Sequence, residues 1–250
     1  MPASPNCDRA DHDCRVAHWI CLLLLPVVTT GPLICSVART SAPAERWFLV
    51  RYADPIVVIG CSHGGVAALL ELTRAFDPKW HTSIFITIHV GRRESSLPQL
   101  LGRDCPMPVS HARDREPIDR GHIYVAPPDR HLCIEPSYMR LSHGPRENWA
   151  RPAIDPMFRS AAFTHAPSLV GILLTGYLFD GANGLETLHR CGGRTIVQDP
   201  SDALSPEMPR NALRRIGPDF ILPLGAIPSA IGACLAEMPS YSERVGAWHG

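Results

Sequence analysis

The sequence predicts an α/β fold: a doubly wound, mainly parallel sheet with helices on both faces. Three observations carry this. Several apolar runs are nearly continuous rather than alternating, as strands buried on both faces are. Helical patterns separate them in regular alternation. The first apolar run, Ile56-Val57-Val58-Ile59, ends in the turn Gly60-Cys61-Ser62-His63-Gly64, after which a helical pattern begins at once.

The elements follow in order from Pro55. Ile56–Ile59 is a strand, and Val66–Phe76 an amphipathic helix stopped by Asp77-Pro78. Ser83–Ile88, β-branched and aromatic, is the second strand. Ser95–Leu101 is a short helix, and Pro106–Ser110 and His122–Ala126 are short strands, the latter closed by Pro127-Pro128. Leu132–Glu135 and Tyr138–Leu141 flank Pro136-Ser137 as a hairpin. His143–Arg151 is polar and irregular, a surface loop. Asp155 as N-cap and Pro156 at the first helical position start a helix running to Thr164. Ser168–Leu174, the most hydrophobic strand, ends in Thr175-Gly176. Asp180-Gly181-Ala182 opens a helix that stops at Cys191-Gly192-Gly193. Arg194–Val197 is a strand, and Pro209–Arg215 and Pro228–Met238 are helices. The pattern is that of one Rossmann-like domain over 51–240, followed by a tail, 241–250.

Composition narrows the function. The chain's 250 residues, 45% of them apolar, suffice for one sizeable core. Net charge is zero, so no nucleic-acid or anionic-membrane surface is indicated. Nine cysteines, an odd number without Cys-x-x-Cys spacing, suggest a reducing compartment rather than a disulfide framework. The twelve histidines form no metal-ligand motif, so no metal site is expected.

Residues 1–50 stand apart. Trp19–Ala38 is free of charge and approaches the roughly 20 residues of a membrane span, though Pro26, Gly31 and Pro32 interrupt it. Three readings stay open: a membrane anchor, a signal peptide with a Ser36-Val37-Ala38 cleavage site, or a start assigned too far upstream. Membrane contact is expected only if 19–38 is a real segment.

Gly60 to Gly64 is a Gly-x-Ser-x-Gly turn that sets a serine hydroxyl between a strand end and a helix N-terminus. Such a serine is usually a nucleophile whose helix supplies N–H groups for an oxyanion; the alternatives are a Gly-rich phosphate-binding turn or a plain strand–helix junction. In a sheet of this class ligands sit beyond the carboxyl ends of the strands. Ser62 ends the first strand, His89 follows the second, and Asp180 follows the strand ending at Thr175-Gly176. An imidazole takes the hydroxyl proton, and a carboxylate fixes the imidazole tautomer. Taken singly, His89 also fits a structural histidine and Asp180 an N-cap.

Several blocks in order resemble the catalytic domain of the CheB-type chemotaxis protein-glutamate methylesterases: Gly60-Cys61-Ser62-His63-Gly64-Gly65; His89; Ile123-Tyr124-Val125-Ala126-Pro127-Pro128-Asp129-Arg130-His131-Leu132; Arg151-Pro152-Ala153-Ile154-Asp155 with Phe158-Arg159-Ser160; Leu173-Leu174-Thr175-Gly176 with Asp180-Gly181-Ala182; Gln198-Asp199-Pro200; and Met208-Pro209 with Ala212-Leu213. The resemblance implies hydrolysis of a glutamyl methyl ester on a chemoreceptor, and deamidation of glutamine by the same acyl chemistry, without cofactor or metal, in the cytoplasm. It implies Ser62 as nucleophile, His89 as base and Asp180 as the acid member. His63, Tyr177, Gly176 and Arg151 would contribute to the oxyanion site or to substrate binding. Two other functions compete: a CheB-like binding module without turnover, and a serine esterase for small molecules.

Three positions depart from the family's pattern. His63 replaces a small residue, Ile88 a Gln, and Gly176-Tyr177-Leu178 a Gly-Met-Gly. A positive φ at the third position of that loop would strain Leu178. The residues before the domain are too few for a phosphorylatable receiver domain of ordinary size, which predicts an activity not gated by phosphorylation in cis.

Overall fold

The computed structural model describes residues 54–91 and 93–238. The segment 19–38 and the tail 241–250 lie outside them. No helix among the described residues is long and apolar enough to cross a membrane.

Seven strands form one parallel sheet in the order β3-β4-β2-β1-β7-β8-β9. They are β1 (Ile56–Cys61), β2 (Ser83–Ile88), β3 (Val109–His111), β4 (Ile123–Val125), β7 (Leu169–Leu173), β8 (Arg194–Gln198) and β9 (Phe220–Leu222). The remaining two, β5 (His131–Ile134) and β6 (Met139–Ser142), make the expected hairpin, with His131 opposite Ser142. Helices α1 (Gly65–Arg74), α2 (Leu97–Leu101), α3 (Ile154–His165), α4 (Ala182–Arg190), α5 (Glu207–Leu213) and α6 (Ile227–Glu237) complete the domain.

The middle of the sheet is buried on both sides: β1, β2, β4 and β7 are buried along their whole length and are mostly apolar. Along β1, Ile56 and Val58 face α3, α4, α5 and the hairpin, where they meet Phe158, Leu185, Met208 and Leu132. Val57 and Ile59 face the other way, onto Leu69 and Leu72 of α1, Leu101 of α2 and Ile231 of α6. This period-2 division of one strand between two cores explains why the sequence reads as a continuous apolar run.

Strand order reverses at β1. The chain winds outward from β1 through β2 to β4 on one side, and from β7 through β8 to β9 on the other, with β1 paired to both β2 and β7. The crevice at the carboxyl end of such a switch point is where sheets of this class bind ligands. Gly60 allows a second element to reach it. A Cβ there would lie 2.3 Å from Ile154 Cγ2, so only glycine lets the first turn of α3 press against β1.

The structure differs from expectation in three places. Strand β9 was not expected: it is a three-residue edge strand whose Phe220 and Ile221 are exposed, so it carries no burial pattern. Helix α5 starts at Glu207, which puts Pro209 inside its first turn, where a missing N–H costs nothing. Helix α3 begins at Ile154 with Ala153 as its cap, so Asp155 lies within the first turn. Its carboxylate is engaged elsewhere.

Candidate functional site

Ser62 leaves β1 immediately after Cys61. Its N–H donates to Thr175 O at 2.9 Å, joining the end of β1 to the segment after β7. Its carbonyl accepts the N–H of Gly65, the first residue of α1, at 2.9 Å, and Gly64 between them takes φ 79°. The hydroxyl is thereby held at the switch point.

His89 stands one residue beyond β2. Ser62 Oγ lies 2.9 Å from His89 Nδ1, and His89 Nε2 lies 2.6 Å from Asp180 Oδ2. An ionised carboxylate has no proton to give, so Nε2 carries the ring hydrogen and Nδ1 is the acceptor facing the hydroxyl. The three residues predicted from strand ends thus form one hydrogen-bonded chain.

Asp180 is 1% exposed. Besides His89, its Oδ2 accepts the N–H of Ile154 at 2.7 Å. Its Oδ1 accepts Asn148 Nδ2 at 2.7 Å, Asp155 N at 3.2 Å and Gly181 N at 3.0 Å. Burial pushes this carboxyl up, but the bonds from His89, Ile154 and Asn148 outweigh it and hold Asp180 below the usual carboxylate range. Asp180 caps α3 rather than its own helix; the cap of α4 is Gly181.

Asp155, equally buried, lies beside it. Its Oδ1 accepts the N–H of Gly184 at 2.7 Å and its Oδ2 accepts Asn148 Nδ2 at 2.7 Å. Burial, and then the charge of Asp180, push the Asp155 carboxyl above its ordinary value. Sequence reasoning read Asp155 as a cap and Asn148 as a surface loop residue. Neither has a motif of its own, and a contact between residues 148, 155 and 180 is visible only once α3 and α4 pack together.

The other expected residues fall around the hydroxyl. The His63 ring stacks on Tyr177 with centroids 4.7 Å apart, and its Nδ1 lies 2.7 Å from Ser205 Oγ. Thr175 Oγ1 donates to His63 O at 3.0 Å and accepts the N–H of Ser205 at 2.8 Å. Gly176 donates its N–H to Ser205 O and accepts that of Met208. The backbone N–H groups of His63 and Tyr177 find no acceptor among the described residues, and both belong to turns that meet at Ser62. Such donors suit a developing oxyanion.

Leu178 takes φ 65°. Glu207 accepts its N–H at 3.2 Å and Asn211 donates to its carbonyl, so α5 holds the loop in that conformation.

Arg151 is turned inward. Its side chain is 17% exposed, donates to Asp129 Oδ1 from Nε and Nη2, and reaches the carbonyls of His143 and Gly144 from Nη1. It braces the loop 143–151. Arg159 is bound by both oxygens of Glu147. A cleft of about 320 Å³ opens beside His89, lined also by Val90, Arg146, Asn148, Trp149 and Arg151. Trp149 is 85% exposed on one side of the site, and Tyr177, Leu178, Phe179 and Leu204 are exposed on the turns about Ser62. No cluster of side chains suited to a metal ion occurs among the described residues.

A doubly wound α/β domain with a serine, a histidine and a buried aspartate linked at its switch point has the architecture of a serine-type hydrolase. The family model described as CheB methylesterase matches residues 57–231, and the chain belongs to that family. It is 38% identical over 188 residues to a protein-glutamate methylesterase/protein-glutamine glutaminase of Hydrogenovibrio crunogenus, covering 73% of this chain and 50% of that one. It is 34% identical over 213 residues to protein-glutamate methylesterase/protein-glutamine glutaminase 2 of Xanthomonas campestris pv. campestris, covering 82% of this chain and 60% of that one. The chain therefore spans about half the length of the first relative. The crystal structure of the Thermotoga maritima CheB methylesterase catalytic domain matches with a TM-score of 0.70 at 26% identity, over 74% of this chain and 100% of that one.

Proposed function

We propose that this chain is a protein-glutamate methylesterase that also deamidates glutamine, acting in the cytoplasm on a methylated chemoreceptor or a related signalling protein. The observation that carries the reading is the continuous bonding from Ser62 Oγ through His89 to the buried Asp180, at 2.9 and 2.6 Å.

Ser62 Oγ attacks the carbonyl carbon of the glutamyl methyl ester while His89 Nδ1 takes the hydroxyl proton. Asp180, held below its ordinary pKa, stabilises the imidazolium. The N–H groups of His63 and Tyr177 receive the oxyanion. On collapse the ester C–O bond breaks and methanol leaves with the proton from His89. Water, deprotonated by His89, then attacks the acyl-enzyme, restoring Ser62 and leaving glutamate. With a glutamine side chain the same steps release ammonia.

Exposed Trp149, Tyr177, Leu178, Phe179 and Leu204 border the site and favour a macromolecular substrate over a small ester, since they offer apolar contact area outside the cleft. Cys61, Cys133 and Cys234 are buried free thiols, in keeping with a reducing compartment.

Methanol release from methylated chemoreceptor by the full chain, beside Ser62→Ala, tests the reading. Release that disappears in the variant supports it. Equal release by both, or labelling of Ser62→Ala by a fluorophosphonate at the parent rate, overturns it.

A further inference from the structure

Two buried carboxylates stand side by side at the base of the site, and one amide serves both. Each hydrogen of Asn148 Nδ2 has its own acceptor, Asp155 Oδ2 and Asp180 Oδ1, both at 2.7 Å. Asn148 sits with φ 49° at the tip of a tight turn closed by Glu147 and Ala150, which donate to each other's carbonyls at 3.2 and 2.9 Å. Asn tolerates this left-handed region better than most residues. Its neighbour in the turn, Trp149, takes φ 65° and projects into solvent at the rim of the cleft beside His89.

We propose that Asn148 is a positioning residue, whose amide clamps Asp155 and Asp180 together and so fixes the orientation of the carboxylate that faces His89. The proposal rests on the reading of Ser62, His89 and Asp180 as the reacting chain. Without the clamp Asp180 has a second carboxylate as neighbour and one donor fewer. The charge of Asp180 already raises Asp155, so a shared donor is what lets the pair stay close with Asp180 ionised. The charged groups near the pair are few. His89 faces Asp180 from the end of β2. Arg159 of α3 faces Asp155 and is itself bound to Glu147, on the same turn as Asn148. Arg146 and Arg151 line the cleft beyond His89. The turn that carries the exposed Trp149 is thus covalently joined to the residue that orients the acid of the triad.

Two variants of the full chain separate this from a scaffolding role. Asn148→Gly keeps the positive φ and deletes the amide. Asn148→Asp keeps the shape and adds a third carboxylate. Measured quantities are the pH dependence of methanol release and, independently of the ester, the pH dependence of fluorophosphonate labelling at Ser62. We expect the rate at pH 7 to fall on the order of tenfold in Asn148→Gly, which deletes both bonds of the amide, through the loss of the charge-assisted one to Asp180. The acid limb of both profiles should move up by about one pH unit, and further in Asn148→Asp. Rates that fall with the acid limb unmoved in both variants would mean that Asn148 only supports the loop, and the proposal fails while the triad stands. A parent chain that neither releases methanol nor is labelled at Ser62 removes the triad reading itself, and the proposal with it.

Discussion

The carboxylate of Asp180 accepts the N–H of Ile154 at 2.7 Å, so the acid that follows β7 rests on the first turn of α3 and not on the helix it introduces. A helix N-terminus favours negative charge. The same contact fixes the side chain from one direction while His89 meets it from the other. An aspartate that would cap its own helix in an isolated βα unit is instead the joint between two helices.

Asp180→Asn should therefore cost activity through the tautomer of His89. An asparagine presents either an N–H or a carbonyl to Nε2, and a packing in which the amide donates would leave Nδ1 carrying the hydrogen. A fall of ~10³ to 10⁴ in kcat is expected, with the loss measured against methylated receptor at saturating concentration. The sign with pH follows from the depressed pKa. The folded state binds the Asp180 proton less readily than the unfolded chain, so its contribution is present above the ordinary carboxylate range near 4 and is lost as pH falls through the folded value.

Leu178→Gly should stabilise the domain. Leu178 holds φ 65° with its side chain half exposed, so glycine removes a left-handed penalty of about 1 kcal/mol or more while giving up little packing. Part of the gain is offset by the freer unfolded chain. A rise in Tm of about 2 °C by calorimetry is expected; a fall of that size would show that Leu178 contributes contacts that outweigh the strain.

Gly176→Ala should lower both stability and turnover. The added Cβ would lie 2.9 Å from Ser62 Cβ, and 2.6 and 2.8 Å from Cε and Sδ of Met208. The Met208 side chain can yield, but Ser62 is fixed by its bond to Thr175. A drop in kcat of about 10²-fold is predicted, with KM little changed, because a shift of order 1 Å at the reacting atoms has that effect.

His165 gives the fold an acid limit. Burial holds its pKa down at about 4, against ~6.5 in the unfolded chain. Between those values the unfolded state binds the extra proton, so stability is complete above about pH 6.5 and declines as pH falls toward 4, by ~3 kcal/mol in all. Urea unfolding at pH 7, 5.5 and 4.5 measures this slope, and His165→Gln should flatten it.

Most of the frame was legible because apolar strands and glycine turns act locally. The run Ile56–Ile59 with its serine turn announced both a buried strand and the place of Ser62, and strand ends placed His89 and Asp180 without any contact information. Leu178 was expected to be strained and lies at positive φ. The second layer of the site was not legible. Asn148 and Ser205 lie in polar loops and Asp155 in the first turn of a largely apolar helix; the partners of Asn148 and Asp155 are fixed only when α3 packs beside Asp180 and α4, and those of Ser205 only when its loop meets His63 and Thr175. The part of His63 was likewise open: an imidazole after the serine has no intrinsic destination, and it is Ser205 and Tyr177 that supply one. Strand β9 escaped notice because an exposed edge strand of three residues has no periodicity to read.

Strand order has a consequence in time. Ser62 and His89 follow neighbouring strands that pair early in the sequence, but Asp180 comes only after β7 has docked on the far side of β1, 91 residues beyond His89. A chain emerging from the ribosome carries its serine and histidine for the whole synthesis of β3 to β6 without the carboxylate that completes them. Long-range pairings of this kind form late, after loop closure has been overcome. If Ser62, His89 and Asp180 act together as proposed, the onset of full Ser62 reactivity during refolding would serve as a clock for the closing of the second half of the sheet.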